Sequence, residues 1–316
     1  MKRINILLGF LVLFILSSCN SIKINEMNPI IALDTVISIT FYNSDNYLEC
    51  YNDIKKIYYN VDDIADDFNS KNGNVYDLNS NREIKMNKDL KELIEYALEY
   101  KDITNGSFNP FIGRLSHLWK SHLDNKTVLD NETISKEISI MNHTSISFCD
   151  DSIRLIGDGN LDLGGIAKGY ATMKAYECIK SYGITDFILN AGSSNIVCGN
   201  KPNGAFRLGL NDPYGSGYIK VININNKCIS TSSGEHQNVI IGDVRYHHLI
   251  NPFTGYPTNY YDSVITFGDN SMALDVYSTA ISMMDIDSAV EFASKENIDV
   301  ILYKDGKILY EGKEVY

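Results

Sequence analysis

Hydrophobic positions alternate with polar ones in some parts of the chain and recur every three or four residues in others. The alternation predicts a strand over residues 30–42 and shorter strands at 187–189, 206–210, 219–224 and 238–241. The longer period predicts helices over 48–68 and from the Asn87 cap onward. Further helices are predicted to open within 161–170 and run to about 182, and at 271–284 and 287–296. The polar segment 69–81 is predicted as a loop.

Short turns join several of these strands. Two hairpins are predicted, one turning at Asp150-Asp151 and the other at Asp305-Gly306. Helices and strands are interspersed, but many strands pair through short turns. The pattern therefore predicts an α+β fold and not a doubly wound parallel sheet.

The N-terminal segment has the organisation of an export signal. Lys2 and Arg3 precede an apolar run that is too short to span a hydrocarbon core of about 30 Å as a helix. The run ends in two serines followed by Cys19, which resembles the lipobox of bacterial lipoproteins. We predict a lipid anchor on Cys19 at the extracytoplasmic face of the cell membrane. The predicted segments are a signal peptide over 1–18, a polar tether over 19–29 and one domain over 30–316. An ordinary signal peptide with an incidental cysteine is the alternative.

Acidic residues outnumber basic ones. There are 40 Asp and Glu against 28 Lys and Arg, a formal net charge of −12. A nucleic-acid-binding protein needs a basic face, so this balance argues against a nucleic-acid partner. The same excess of acid would repel a phosphate-rich ligand, and a nucleotide site in this chain therefore needs a cation.

The cysteines after Cys19 are scattered and lack Cys-x-x-Cys spacing: Cys50, Cys149, Cys178, Cys198 and Cys228. Their pattern predicts neither a disulfide framework nor a zinc site. Most are expected at buried apolar positions.

A glycine pair, Gly164-Gly165, lies at a predicted strand-to-helix turn. Glycines allow a backbone to approach a ligand closely, and free N–H groups at a helix start can hold an anion. Lys168 places a positive charge in the first turn, where it opposes the helix dipole, and this indicates a ligand. A purely structural turn is the alternative.

Asp275 and Thr279 are four residues apart in a segment that is otherwise mostly apolar. On a helix, this spacing places both side chains on one face. A buried carboxylate is costly unless it is paired or metal-bound, and oxygen ligands suit Mg²⁺. The alternative is a surface Asp near a helix N-terminus, where the dipole also favours it.

Residues 248–257 form a dense predicted turn with two prolines, one glycine and His248 at its start. His248 is a candidate base, with a structural role as the alternative. We expect its neighbour His247 to be exposed. Ser232 and Ser233 lie in a hydroxyl-rich segment, but the Gly-x-Ser-x-Gly elbow of serine hydrolases is missing from the sequence.

These segments occur together in the order and spacing of the ApbE family, the FAD:protein FMN transferases, which the chain resembles over about residues 31–291. The most specific matches are 162–170, 248–257 and 273–280, and weaker ones are 33–35, 104–109 and 190–196. The resemblance implies a T-fold-like α+β architecture, with mixed, mostly antiparallel sheets and packed helices, that holds FAD and Mg²⁺.

By position, the resemblance places Mg²⁺ on the main-chain carbonyl of Gly165, the carboxylate of Asp275 and the hydroxyl of Thr279. It places FAD against a larger set of residues: Leu33, Ser107, Phe108, Asn109, Asp162, Lys168, His248 and Ile250. Two positions depart from the family pattern, since Asn109 replaces the usual Asp and Met173 stands where Asp is common. The metal positions are intact, so activity is expected.

The activity that the resemblance implies is transfer of the FMN half of FAD to a Ser or Thr hydroxyl of another protein, with release of AMP. His248 is the first candidate for the base and Asp275 the second. Family acceptors carry a segment resembling Asp-x-x-Ser/Thr-Gly-Ala-Ser/Thr, which this chain lacks. The expected acceptor is therefore a separate exported or membrane redox protein. An FAD pyrophosphatase and a non-enzymatic flavin-binding lipoprotein are the alternatives.

Overall fold

The computed structural model describes residues 22–234 and 238–313. The predicted signal peptide and Cys19 lie outside these residues. The described helices are α1 (Tyr47–Ala65), α2 (Val75–Asn81), α3 (Lys88–Ile103), α4 (Gly113–Asp124), α5 (Asn131–Asn142), α6 (Gly164–Ser181), α7 (Ser271–Ile281) and α8 (Ile286–Lys295).

The described strands are β1 (Ile24–Glu26), β2 (Ile30–Ala32), β3 (Thr35–Tyr42), β4 (Glu83–Lys85), β5 (Ser145–Phe148), β6 (Ser152–Ile156), β7 (Phe187–Ala191), β8 (Asn195–Cys198), β9 (Phe206–Asn211), β10 (Tyr218–Ile224), β11 (Lys227–Ser233), β12 (Asn238–Ile241), β13 (Val244–His247), β14 (Ser263–Gly268), β15 (Asp299–Lys304) and β16 (Lys307–Glu311). Both predicted hairpins are confirmed, as β5–β6 and β15–β16.

A nine-stranded sheet forms the centre, in the order β1-β3-β7-β8-β11-β14-β15-β16, with β2 beside β1 on the same side of β3. Three small sheets, β9–β10, β12–β13 and β4–β6–β5, complete the strand pairing of the described chain. The paired strands run antiparallel throughout these residues. The predicted α+β class is confirmed.

Hydrophobic layers cover both faces of the large sheet. Neighbouring residues on a strand point to opposite faces. On β11, Cys228 belongs to the buried cluster that includes residues of α1, α6 and α7, whereas Ile229 belongs to the cluster that includes the β9–β10 hairpin. Strands β8, β11 and β14 were missing from the prediction because covering both faces removes the alternation of polar and apolar residues. β14, for example, is buried at five consecutive positions.

Three other predictions need correction. The predicted tether over 19–29 is too long, because Ile24–Glu26 forms strand β1 of the large sheet. Three residues are too few to show a strand pattern in the sequence. The loop over 69–81 contains α2, whose polar Asn74 and Asp77 form a capping box. The strand over 30–42 is a β2–β3 hairpin, in which Leu33 and Asp34 form the turn with φ of 53° and 54°. Helices α4 and α5 were not predicted.

Across the described part of the chain, none of the helices combines the length and the apolar character that crossing a bilayer requires.

Candidate active site

The contact between α6 and α7 sets the position of Asp275. Gly169 lies where the two helices meet, and a Cβ added to it would come within 2.6 Å of Cβ of Asp275 and 2.9 Å of Cα of Met272. The Gly169 N–H donates to Oδ2 of Asp275 at 2.8 Å. Glycine at this position therefore allows the α7 carboxylate to lie directly against the backbone of α6.

Asp275 is buried, with 5% of its surface exposed, and burial raises the pKa of its carboxyl group. The Lys168 ammonium and the Gly169 N–H act in the opposite direction, because they favour the ionised form. The hydroxyl of Ser230 also donates to Oδ1, at 3.2 Å. The alternative of a surface Asp is thus excluded. Because a buried carboxylate is costly unless its charge is paired, we expect a positive partner beside Asp275.

A cluster of hydroxyl groups surrounds the carboxylate. Oγ of Ser232 lies 2.8 Å from Oγ of Ser278 and 3.3 Å from Oγ1 of Thr279. Thr279 also donates to the carbonyl of Asp275, at 3.2 Å. Ser230 and Ser278 were missed from the sequence, since nothing in the local pattern shows that β11 lies beside α7.

The predicted metal ligands are brought together. A Cβ at Gly165 would lie 3.8 Å from Cγ2 of Thr279, so the start of α6 reaches the face of α7 that carries Asp275 and Thr279. Across the described residues there is no group of three or more His, Cys, Asp or Glu side chains that could hold a metal. A site here would rest on one carboxylate with hydroxyl and carbonyl oxygens, a donor set that suits Mg²⁺.

An unsatisfied amide supports this fit. The side chain of Asn195 lies beside Asp275 and is fully buried. Its amide is directed at the Asp275 carboxylate and favours the ionised form, but neither the amide nitrogen nor the amide oxygen has a partner within 3.5 Å among the described residues. Buried amides are rarely left unpaired, and a hydrated cation next to Asp275 would supply the missing partner. The residues present therefore fit a magnesium ion.

The loop between α3 and α4 contributes Ser107, Phe108 and Asn109, all of them buried. A Cβ at Gly165 would lie 3.1 Å from the Phe108 ring, so this loop borders the start of α6. Oδ1 of Asn109 accepts a hydrogen bond from the backbone N–H of Phe111 at 3.1 Å. Asn109 therefore has a structural role that a carboxylate could also fill.

Asp162 lies just before α6 and accepts the Gly164 N–H at 2.8 Å. Burial raises the pKa of its carboxyl group, and so does the nearby charge of Asp67. The preceding residue, Leu161, is held by the side chain of Asn79 in α2 through two hydrogen bonds of 2.7 and 2.9 Å. The helix that was not predicted thus helps to position Asp162.

Sequence reasoning also missed a cluster next to Asp162. Nε2 of His117 lies 2.7 Å from Oδ2 of Asp67, and the His117 ring stacks on Phe68 at 4.7 Å. The Asp67 hydrogen bond raises the pKa of His117. Phe68 and His117 line a cavity of about 290 Å³. The 50 residues that separate Asp67 from His117 hide this pairing in the sequence.

The turn at Leu33 is fixed from two sides. The Leu33 N–H donates to Oδ1 of Asp62 at 2.6 Å, and Thr35 packs so closely against Gly192 that a Cβ there would clash. Gly192 belongs to the turn that leads into Asn195. The turn at Leu33 therefore packs against the turn that leads to Asn195, which lies beside Asp275.

The expectation for His247 was wrong. His247 is 3% exposed, whereas His248 is the exposed one. Strand β13 ends at His247, and the His247 ring points inward against Gly234. Gly234 follows Ser232 by two residues. His248 follows at the surface. Ile250 is buried in a separate cluster with Trp119, so its side chain anchors the turn over residues 248–257 to the protein interior.

The buried His247 predicts an acid-sensitive stability. Burial, together with His248, lowers the pKa of His247 from 6.5 to about 4. Between these values the unfolded chain binds a proton that the native imidazole does not, so the free energy of unfolding falls as the pH falls. At pH 5 the expected loss is about 2 kcal/mol. Urea unfolding at pH 7 and pH 5 measures it. His247→Gln should show a smaller loss over the same pH range, and an equal loss would contradict this assignment.

Solved structures with the same fold include an ApbE protein from Thermotoga maritima, with a TM-score of 0.82 and 23% identity over 92% of this chain and 97% of that chain. The apo form of the Pseudomonas stutzeri flavinyl transferase ApbE has a TM-score of 0.76 and 18% identity, covering 93% of this chain and 95% of its own. These matches confirm the predicted architecture.

Two curated relatives are named FAD:protein FMN transferase. The Treponema pallidum protein is 26% identical over 217 residues, 62% of this chain and 60% of its own length. The Rhodobacter capsulatus protein is 24% identical over 218 residues, 67% of this chain and 42% of its own length. The matched part of the chain thus spans less than two thirds of either relative. The ApbE family model matches residues 33–302, which is most of the chain. The chain therefore belongs to the ApbE family.

Proposed function

We propose that this protein transfers the FMN part of FAD to a Ser or Thr hydroxyl of another protein and releases AMP. One observation carries the proposal: Asp275 and Thr279 of α7 pack against the first turns of α6, which contain Gly165 and Lys168. The Treponema pallidum relative is named for this activity.

The reaction needs few protein groups. The acceptor oxygen attacks the FMN-side phosphorus, a new phosphoester bond forms, the phosphorus–oxygen bond to AMP breaks, and the hydroxyl proton goes to a base. Magnesium held by Gly165, Asp275 and Thr279 would neutralise pyrophosphate charge. Lys168 and the free N–H groups at the α6 start would add to that positive field.

His248 is our candidate for the base. It is exposed at the end of β13, where an incoming acceptor loop can reach it. Asp275 was the second candidate. Its two oxygens already accept hydrogen bonds from Gly169 and Ser230, which favours a role as a ligand. An unperturbed imidazole titrates near pH ~6.5 and suits proton transfer at neutral pH.

The proposal places the protein on the extracytoplasmic face of the cell membrane, where it would modify an exported or membrane redox protein. The support is the lipobox-like sequence that ends in Cys19. We expect Cys19→Ser to leave an uncleaved precursor or a protein that no longer stays with the membrane. Fractionation and intact mass measure this, with Cys149→Ser as the matched control. Unchanged membrane partition of a processed Cys19→Ser protein would refute lipid anchoring.

The test of function is a reaction of the purified full chain with FAD, Mg²⁺ and a peptide of the form Asp-x-x-Thr-Gly-Ala-Thr. AMP released in step with FMN-modified peptide, and abolished by a chelator, supports the proposal. AMP and free FMN formed equally without the peptide would show a pyrophosphatase. Bound FAD without turnover would show a flavin-binding protein.

A further inference from the structure

The loop over residues 157–163 joins strand β6 to helix α6 and carries Asp162 near its end. Its first part is tightly packed. A Cβ at Gly157 would lie 2.6 Å from the carbonyl oxygen of His143, and one at Gly159 would lie 2.2 Å from Oγ1 of Thr144. Two glycines give a loop many conformations in the unfolded chain, so contacts from other segments must fix this one.

Arg82, the residue that follows helix α2, supplies such contacts through its guanidinium group. Nη2 donates to the carbonyl oxygen of Gly157 and, at 2.8 Å, to that of Gly159. Nη1 donates at 3.2 Å to Oδ1 of Asn160 and at 3.2 Å to the carbonyl oxygen of Asn79 in α2. All four acceptors are uncharged, so the side chain bridges α2 and the loop.

The backbone of Arg82 shows that its side chain is needed there. Its φ is 63°, in the left-handed region, where a helix end usually has glycine. Its N–H donates to the carbonyl of Leu78 at 2.9 Å, and its own carbonyl accepts the Leu155 N–H at 2.7 Å. These bonds hold the strained residue in place and aim its side chain at the loop.

The far end of the loop connects two segments of the candidate active site. The Asp162 N–H donates to the carbonyl of Pro110 at 2.8 Å, and Pro110 directly follows Asn109. Oδ1 of Asp162 accepts the Gly164 N–H at the start of α6. The loop that Arg82 holds thus sets the α3–α4 loop and the start of α6 relative to each other.

We propose that Arg82 is a positioning residue for FAD. By clamping residues 157–160, it fixes Asp162 and the first turn of α6 against the loop that carries Ser107, Phe108 and Asn109. The inference rests on the proposed function, in which these segments contact FAD. Arg82 acts through the loop and not by touching the flavin.

Arg82→Ala should therefore weaken FAD binding more than it slows the chemical step. The affected segments contact FAD, whereas Asp275 and Thr279 lie on α7 and keep their own contacts with α6. We expect the Kd and the KM for FAD to rise about tenfold or more, with kcat within about threefold of the wild type. Arg82→Lys should restore only part of the affinity, because one ammonium group cannot span the acceptors that the planar guanidinium reaches.

A cavity beside Arg82 permits chemical rescue. It has a volume of about 440 Å³ and is lined by Arg82 together with Arg114, Lys136 and Asp158. A free guanidinium ion has room there to replace the group that Arg82→Ala removes. Millimolar guanidinium, far below denaturing concentrations, should bring the Kd for FAD back toward the wild-type value. Sodium chloride at the same ionic strength should not.

The test combines FAD titration by flavin fluorescence with hydrogen–deuterium exchange of the purified full chain, below the thermal midpoint of each variant. In Arg82→Ala, peptides covering residues 157–165 should exchange faster than in the wild type. Arg154→Ala is the matched control, since Arg154 is an exposed arginine of β6 that pairs with Glu83 at 2.9 Å. It should bind FAD and exchange like the wild type.

A wild-type Kd for FAD in folded Arg82→Ala, or wild-type exchange of residues 157–165, would overturn the proposal even with a lowered thermal midpoint. Equal effects of guanidinium and sodium would also contradict it. If circular dichroism shows Arg82→Ala to be unfolded, Arg82→Lys serves in the same comparison, with a Kd above that of the wild type expected. Binding and exchange do not require transfer. A wild-type protein that binds FAD without releasing AMP would refute the proposed function alone.

Discussion

Asp275→Ala should abolish magnesium-dependent flavin transfer, with kcat/KM lowered by about a thousandfold or more. Asp275 is the carboxylate of the candidate metal site, and its loss removes the charge that would hold the ion. The same substitution leaves the Gly169 N–H without its acceptor, which costs about 1–3 kcal/mol of stability, whereas the Ser230 hydroxyl keeps the Ser194 carbonyl at 3.1 Å. Activity and the thermal midpoint must therefore be measured together.

Asp275→Asn is the matched variant that separates the two effects. The amide keeps the size of the side chain and an oxygen that can accept the Gly169 N–H, but it has no charge. We expect a folded protein with a thermal midpoint near that of the wild type and without turnover. Wild-type activity in Asp275→Asn would refute the role of the carboxylate.

Gly169→Ala should destabilise the protein, although Ala is the better helix former by about 1 kcal/mol. Its Cβ would lie 2.6 Å from Cβ of Asp275 and 2.9 Å from the α7 backbone at Met272, so α6 and α7 must move apart. Overpacking of this kind costs about 1–3 kcal/mol. The displacement also moves Asp275 away from Gly165, so we expect flavin transfer to fall at least tenfold.

Gly217→Ala is the control for this prediction. No atom lies within 4 Å of a Cβ at Gly217, and its backbone is not left-handed. Its stability should stay within about 0.5 kcal/mol of the wild type. Urea unfolding of both variants decides the question, and a Gly169→Ala protein as stable and active as Gly217→Ala would contradict the close helix contact.

The strongest local patterns predicted which residues of the candidate site share one helix. The glycine pair placed the start of α6, and the four-residue spacing of Asp275 and Thr279 placed both on one face of α7. These features depend on neighbours within one helical turn, which a sequence displays directly.

What the sequence could not show depends on contacts between distant segments. The unpaired amide of Asn195, the hydroxyl of Ser230 and the His117–Asp67 pair become neighbours only when β8, β11 and α4 take their places. His247 and His248 illustrate a second limit. Their order along the chain is the same whichever ring points inward, and the closeness of β13 to Gly234 decides it.

FMN transfer to a hydroxyl of another protein is the activity that we propose for this chain. Mass spectrometry of membrane and exported proteins tests it most directly, in cells with the wild-type gene, without it, and with Asp275→Asn. We predict a phosphoester-linked FMN on a Ser or Thr of a separate protein in the wild-type cells only. FMN on the same residue in all three, or on this chain itself, would contradict the claim.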